Sequence, residues 1–231
     1  MEKYLYAGLL LFTICFTLPY SWDKKIYYLG KLKFVFPAFI LTAFLFIPWD
    51  IFFADLGVWG FNPKYIIGVK LFLLPIEEWL FFVCVPFSCV FIHEAILYYT
   101  KTNISNHYTR TTTLIIIVFS ALMCLFYFEN AYTFSTFGLL LIFLCLQLFV
   151  IKTPQFGQFY ITYLFVLIPF FLINSLLTGS FIDQEVVWYN NAENMGIRIG
   201  TVPFEDLFYN MLMLFMTLTM YEKLKAKYAV G

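Results

Sequence analysis

Hydrophobic positions along this chain gather into long runs separated by short polar segments. Runs near 3–20, 32–53, 75–99, 113–128, 134–151, 157–178 and 203–222 approach the roughly 20 helical residues needed to cross a hydrocarbon core of about 30 Å. The pattern predicts an all-α polytopic membrane protein with about seven transmembrane helices. The first run has no small-x-small cleavage site and is followed closely by Lys24 and Lys25. It reads as a retained helix rather than a signal peptide.

Composition agrees: 62% of residues are hydrophobic and 12% charged, against about 25% charged in an ordinary soluble domain. Net charge is zero, so no global field argues for nucleic acid or anionic lipid as a partner. Cys15, Cys84, Cys89, Cys124 and Cys145 all fall inside apolar runs, with no CxxC pair or nearby histidine. They read as packing residues and not as metal ligands.

Charge is distributed unevenly. With seven spans, one face carries Lys24, Lys25, Lys31, Lys33, Lys101, Arg110, Lys152, Lys223, Lys225 and Lys227, and the other carries Lys3, Lys64, Lys70 and Arg198. The positive-inside rule then sets the N-terminus outside and the C-terminus in the cytoplasm, in the cytoplasmic membrane of a prokaryote.

Two polar interruptions echo each other. GVKLFLLPIEEWLFF from Gly68 matches GIRIGTVPFEDLFYN from Gly196 at an offset of 128, and GLLLFTIC from Gly8 matches GLLLIFLC from Gly138 at an offset of 130. Trp59 and Trp188 lie 16 and 15 residues before Pro75 and Pro203. These correspondences define a repeat: residues 1–100 hold three spans, 101–133 a connector with span 4, and 134–231 three more, all in one integral membrane domain. An odd connector leaves both repeats in the same orientation, related by a pseudo-two-fold axis along the membrane normal. Both acid pairs then lie at one depth, toward the extracytoplasmic ends of spans 3 and 7.

Each repeat carries two adjacent acids after a proline: Glu77 and Glu78 after Pro75, Glu205 and Asp206 after Pro203. Proline suits a first helical position, and acids in a first turn answer the helix dipole, so capping is one reading. The other is a site. Carboxylates brought together inside a membrane face a cavity or each other, and such a pair offers a general acid with a general base. Adjacent helical residues point about 100° apart, so one of each pair faces the cavity. Lys70 and Arg198, seven residues before Glu77 and Glu205, are candidate charge partners that keep a purely structural role open.

Aromatic residues crowd the same stretches. Trp79, Phe81, Phe82, Phe208 and Tyr209 share the acid-bearing helices, while Trp49, Trp59, Trp188 and Tyr189 lie upstream, with the acid Asp50 beside Trp49. Interfacial belts account for such residues; so does stabilisation of a cation by ring faces. Acid, aromatic walls and an apolar setting together point to proton-initiated carbocation chemistry on a lipid-soluble alkene.

PWD at 48–50, GVWGFNPKYIIGVKLFLLPIEEWLFF from Gly57, LLTG at 176–179 and VVWYNNAENMGIRIGTVPFEDLFYN from Val186 resemble the integral-membrane, flavin-independent lycopene cyclases, in the form that fuses two small subunits. The resemblance covers both repeats. It implies a lycopene cyclase: an acid protonates the terminal double bond of a ψ end group, the adjacent alkene closes a six-membered ring, and a base removes a ring proton. β-Rings form, first in γ-carotene and then in β-carotene. No electron carrier is consumed, so no cofactor is expected, and the chain has no GxGxxG turn. Lycopene and other acyclic carotenoids are the implied substrates, in membrane lipid and in contact with other carotenoid-pathway enzymes. Glu77 and Glu205, identical between repeats, are the first candidates for the acid and base, with Glu78 and Asp206 as partners and Asp50 as a further acid. The chain departs from the family pattern at Asp206, where Glu is expected, and at His93, where Tyr is expected. His93 and Glu94 fall about 25 Å along the helix from Glu77, at the opposite interface.

A parallel-repeat transporter shares the three-plus-one-plus-three layout, and an ε-ring-forming cyclase differs only in the proton lost. Mid-span residues are mostly Phe, Leu and Ile, which favours the cyclase over a carrier. Span 7 lacks a mid-helix lysine for a retinal Schiff base, and no DxxxD-type pair holds magnesium diphosphate.

Overall fold

The computed structural model describes residues 2–100 and 105–229; Lys101, counted above among the cytoplasmic charges, lies outside them. The chain folds into α1 (Leu5–Cys15), α2 (Thr17–Tyr20), α3 (Leu32–Asp55), α4 (Ile76–Thr100), α5 (Asn106–Phe126), α6 (Ala131–Leu146), α7 (Gly157–Leu177) and α8 (Phe204–Ala229). Among the described residues, six helical segments are long and apolar enough to cross a membrane: Glu2–Tyr20, which joins α1 and α2, Leu29–Asp55, Ile76–Thr100, His107–Phe126, Ala131–Ile151 and Gly157–Leu177.

The seventh, α8, is not among those six. It carries buried Glu205, Asp206, Asn210, Thr217 and Thr219 and packs against α3, α4, α6 and α7. A helix ringed by other helices can keep polar groups that lipid would not tolerate. Prolines inside α3 (Pro37, Pro48), α4 (Pro86) and α7 (Pro169) are accommodated because neighbouring helices can satisfy the freed backbone groups.

Packing is interleaved between the repeats. α1 packs on α4 and α6 on α8, while α3 packs on α8 and α7 on α4. Each second helix thus lies against the other repeat's third helix, as a two-fold requires. The connector α5 lies against α6.

Six short strands cap the acid-bearing end. β1 (Trp59–Phe61) pairs antiparallel with β4 (Val187–Tyr189), joining Trp59 to Tyr189, Gly60 to Trp188 and Phe61 to Val187. At the 128-residue offset Trp59, Gly60 and Phe61 correspond to Val187, Trp188 and Tyr189. The ladder therefore pairs Trp59 with the counterpart of Phe61 and Phe61 with the counterpart of Trp59, and the pseudo-two-fold passes through Gly60 and Trp188. Matching bonds flank it: Asn62 N–H to Val186 C=O, and Asn190 N–H to Val58 C=O, both 2.8 Å. Trp59 and Trp188 are thus not equivalents, contrary to their similar distances from the prolines. Trp59 is buried and Trp188 is 40% exposed.

Gly60 is needed at the axis because Trp188 lies over it. A Cβ there would come within 2.4 Å of the indole. Gly60→Ala is expected to push the ring outward at a cost of about 1 kcal/mol. Tryptophan emission should change in that variant and not in one built on Trp188→Phe.

β2 (Lys70–Leu71) with β3 (Leu74–Pro75), and β5 (Arg198–Ile199) with β6 (Val202–Pro203), form equivalent hairpins. Pro75 and Pro203 end these hairpins, one residue before the helices begin. The missing proline N–H is thus accommodated at a strand end instead of at the first helical position. Lys70 lies across from Pro75 and Arg198 across from Pro203.

At the far end of the central pair, the same symmetry recurs. Tyr221 donates to Glu94 (2.6 Å), and His93 stands 3.4 Å from Glu222; at an offset of 128, His93 corresponds to Tyr221 and Glu94 to Glu222. The axis therefore runs along α4 and α8. His93 and Glu94 are 1% and 5% exposed, so they are not solvated interfacial residues. Glu94 also holds Lys31 and Lys225.

Candidate active site

At the capped end, a cavity of about 390 Å³ reaches inward among α1, α4, α7 and α8, within the range of small-molecule sites. Asp50, Glu78 and Asp206 line it. Asp206 accepts from Tyr132 (2.6 Å), Asn174 (2.9 Å) and Tyr189 (3.1 Å). Glu78 accepts from Tyr6 (2.5 Å). Asp50 is 4% exposed and its Oδ2 has no hydrogen-bond partner. Burial among these acids holds the Tyr189 hydroxyl well above its usual range, desolvation acting first and Asp206 second. Tyr189 is therefore a neutral donor.

Glu77 and Glu205, the first candidates from sequence, face elsewhere. Both are fully buried and neither lines the cavity. Glu77 accepts the N–H of Ile67 (2.6 Å), and Glu205 accepts that of Met195 (2.7 Å) with the hydroxyl of Thr133 (2.6 Å). Ile67 and Met195 are again 128 apart, so each glutamate ties the loop before its hairpin to the helix start. Their identity in both repeats is thus matched by an identical backbone contact.

Lys70 and Arg198 do not neutralise the acids. Lys70 is exposed, and Arg198 donates to the Thr201 carbonyl (2.8 Å) and Asn191 (3.0 Å) and lies over the Tyr189 ring. Among the described residues neither forms an ion pair with Glu77, Glu78, Glu205 or Asp206. The strand pairing carries them onto the cap while the carboxylates point into the bundle.

Of the expected aromatic residues, Trp59, Phe81, Tyr189 and Tyr209 line the cavity. Trp49 packs on Tyr209, and Phe82 on Phe46, behind that wall. Trp79 donates to the Leu71 carbonyl on its own hairpin, Phe208 packs with Phe119 and Phe137, and Trp188 covers Gly60. These three do not line the cavity.

Among the lining residues absent from the sequence candidates are Tyr6, Tyr132, Asn174 and Asn210. Tyr6 and Tyr132 are 126 apart and equivalent, since Tyr6 N–H bonds Tyr65 C=O as Tyr132 N–H bonds Glu193 C=O. The sequence echo at offset 130 slips by four residues, about one helical turn, which preserves the face and conceals the error. α6 begins at Ala131, earlier than the apolar run from 134, and so brings Tyr132 into the second repeat.

Segments 3–96 and 129–224 both match the family model described as lycopene cyclase. No curated protein and no solved structure matches the chain.

Proposed function

The chain belongs to the lycopene cyclase family, and from that premise we propose that it closes the ψ end groups of lycopene to β-rings by acid and base catalysis, without net redox change. Family membership supports a carotenoid substrate; the observation that supports the chemistry is one apolar cavity shared by Asp50, Glu78 and Asp206.

The proposed roles follow from hydrogen-bond supply. Asp206, with three donors, is suited to remain a carboxylate, facing the cation and collecting the ring proton. Asp50, with an unpartnered oxygen, and Glu78 hold the proton delivered to the terminal alkene. Trp59, Phe81, Tyr189 and Tyr209 present ring faces that stabilise the cation while offering no strong nucleophile. Each turnover moves a proton from the Asp50 and Glu78 side to Asp206, and the tyrosine hydroxyls around these acids offer a return path. Glu77 and Glu205 hold the cap in place. The excess of Lys and Arg on one face supports an N-terminus outside the cell and a C-terminus in the cytoplasm.

Expression in a host that accumulates lycopene, with chromatography of the pigments, tests this reading. Rings of the β type are expected. An ε-ring would retain the cyclisation and change the proton lost, while unchanged lycopene with the protein present in the membrane would overturn the proposal.

A further inference from the structure

The cavity does not end at the acids. It continues as a crevice between α1, α4 and α7, lined on α4 from Glu78 to Ile92 and on α1 and α2 from Tyr6 to Tyr20. Either wall spans fourteen residue steps, about 21 Å at 1.5 Å per residue. At its far end Phe16 and Tyr20 are 60% and 63% exposed on an apolar helix, where lipid would lie.

Among the described residues the crevice lies in one half of the two-fold. At an offset of 124, Ala38, Phe39, Thr42 and Phe53 fall on Thr162, Tyr163, Val166 and Leu177, all buried, which makes Phe170 the counterpart of Phe46. At 128, Phe81 and Asn210 are the counterparts of Tyr209 and Phe82. In one half Phe46 packs against Tyr209 and Phe82, with ring centroids 5.0 and 6.4 Å apart, and closes the space. In the other, Phe170, Phe81 and Asn210 all line the crevice. Asn210 is smaller than the phenylalanine it replaces, and its buried Oδ1 has no partner.

We propose that this crevice is the bed for the polyene chain of the substrate, entered sideways from the bilayer past Phe16 and Tyr20, and that it admits one end of the molecule per visit. The proposal rests on the cyclase reading above and adds the mode of binding. Both repeats supply acids to a single reaction chamber, so the two ends cannot react at once. An extended acyclic carotenoid is longer than the crevice, and its far end stays in lipid. That end therefore makes no difference to binding, and a molecule with one ring must leave and re-enter reversed to gain the second.

A pulse of labelled lycopene in enzyme-bearing vesicles, followed at partial conversion by excess unlabelled lycopene, tests this on the native protein. Labelled monocyclic product should persist and labelled dicyclic product should fall in proportion to the excess. Labelled dicyclic product unaffected by the chase would overturn the proposal, as would a monocyclic product that is never converted further. No cyclic product at all would instead overturn the cyclase reading. As a second measurement, Val85→Trp would fill the crevice seven residues, about 10 Å, from Glu78. Turnover of lycopene should drop more than tenfold relative to that of a ψ-ended analogue short enough to stop before Val85. Equal losses for both substrates, with the protein folded in the membrane, would refute the chain bed.

Discussion

Glu78→Gln and Asp206→Asn should each lower ring formation by about 10²–10⁴-fold, the usual contribution of a positioned acid or base, with the protein still inserted and folded. The amide in Asp206→Asn keeps the shape but puts an NH2 in place of one of the two oxygens that accept from Tyr132, Asn174 and Tyr189, so a donor faces a donor on that side and no anion is left to face the cation. Glu78→Gln retains an oxygen for the Tyr6 hydroxyl yet has no proton to give. Glu77→Gln and Glu205→Gln should behave differently. Their remaining carbonyl oxygen still accepts from Ile67 and Met195, so the expected change is a stability loss of about 1 kcal/mol with most activity kept. Initial rates of cyclisation at equal membrane content of protein decide the matter. A Glu77→Gln enzyme as dead as Glu78→Gln would return the chemistry to the glutamates favoured by sequence.

That contrast shows what residue order can reveal and what it conceals. The spans are legible because long apolar runs in lipid have few alternatives to a helix; even α8, the least apolar, shows as a run near 203–222. The acid pairs are legible through PIEEWLFF and PFEDLFYN. Which acid of each pair meets the cavity is not, because neighbouring residues differ by about 100° and the chain supplies no zero for the angle. Identity between repeats singles out Glu77 and Glu205, whose shared bond is to backbone. Tyr6 and Tyr132 are hidden for another reason: in spans rich in Phe, Leu and Tyr, a four-residue slip costs nothing on paper. Asp50 is legible beside Trp49, but Asn174, which reaches from α7 to Asp206 on α8, sits in no acid motif. The crevice depends on a difference, Asn210 against Phe82, that a search for likeness between repeats passes over.

The second large effect concerns the opposite end of α4. Glu94→Ala should destabilise the protein by about 3 kcal/mol, the lower end for breaking a buried ion pair by removing one partner, and lower Tm by roughly 6–12 °C at 2–4 °C per kcal/mol. Glu94 joins three elements: Lys31 just before α3, and Tyr221 (2.6 Å) and Lys225 (2.8 Å) on α8. Its removal leaves a buried tyrosine hydroxyl and two partly buried ammonium groups together, and among the described residues a second carboxylate stands by Lys225 alone, Glu222 at 2.7 Å. Lys31→Met in the same background should recover part of the loss, because it deletes one of the stranded charges along with its repulsion. Thermal unfolding in detergent of wild type, both single variants and the double variant supplies the cycle. Equal melting of Glu94→Ala and wild type would show that the foot of the bundle is held by its apolar contacts alone. The same cycle read by cyclisation rate should show little coupling, since Glu94 lies sixteen residues, about 24 Å, beyond Glu78 on the helix they share.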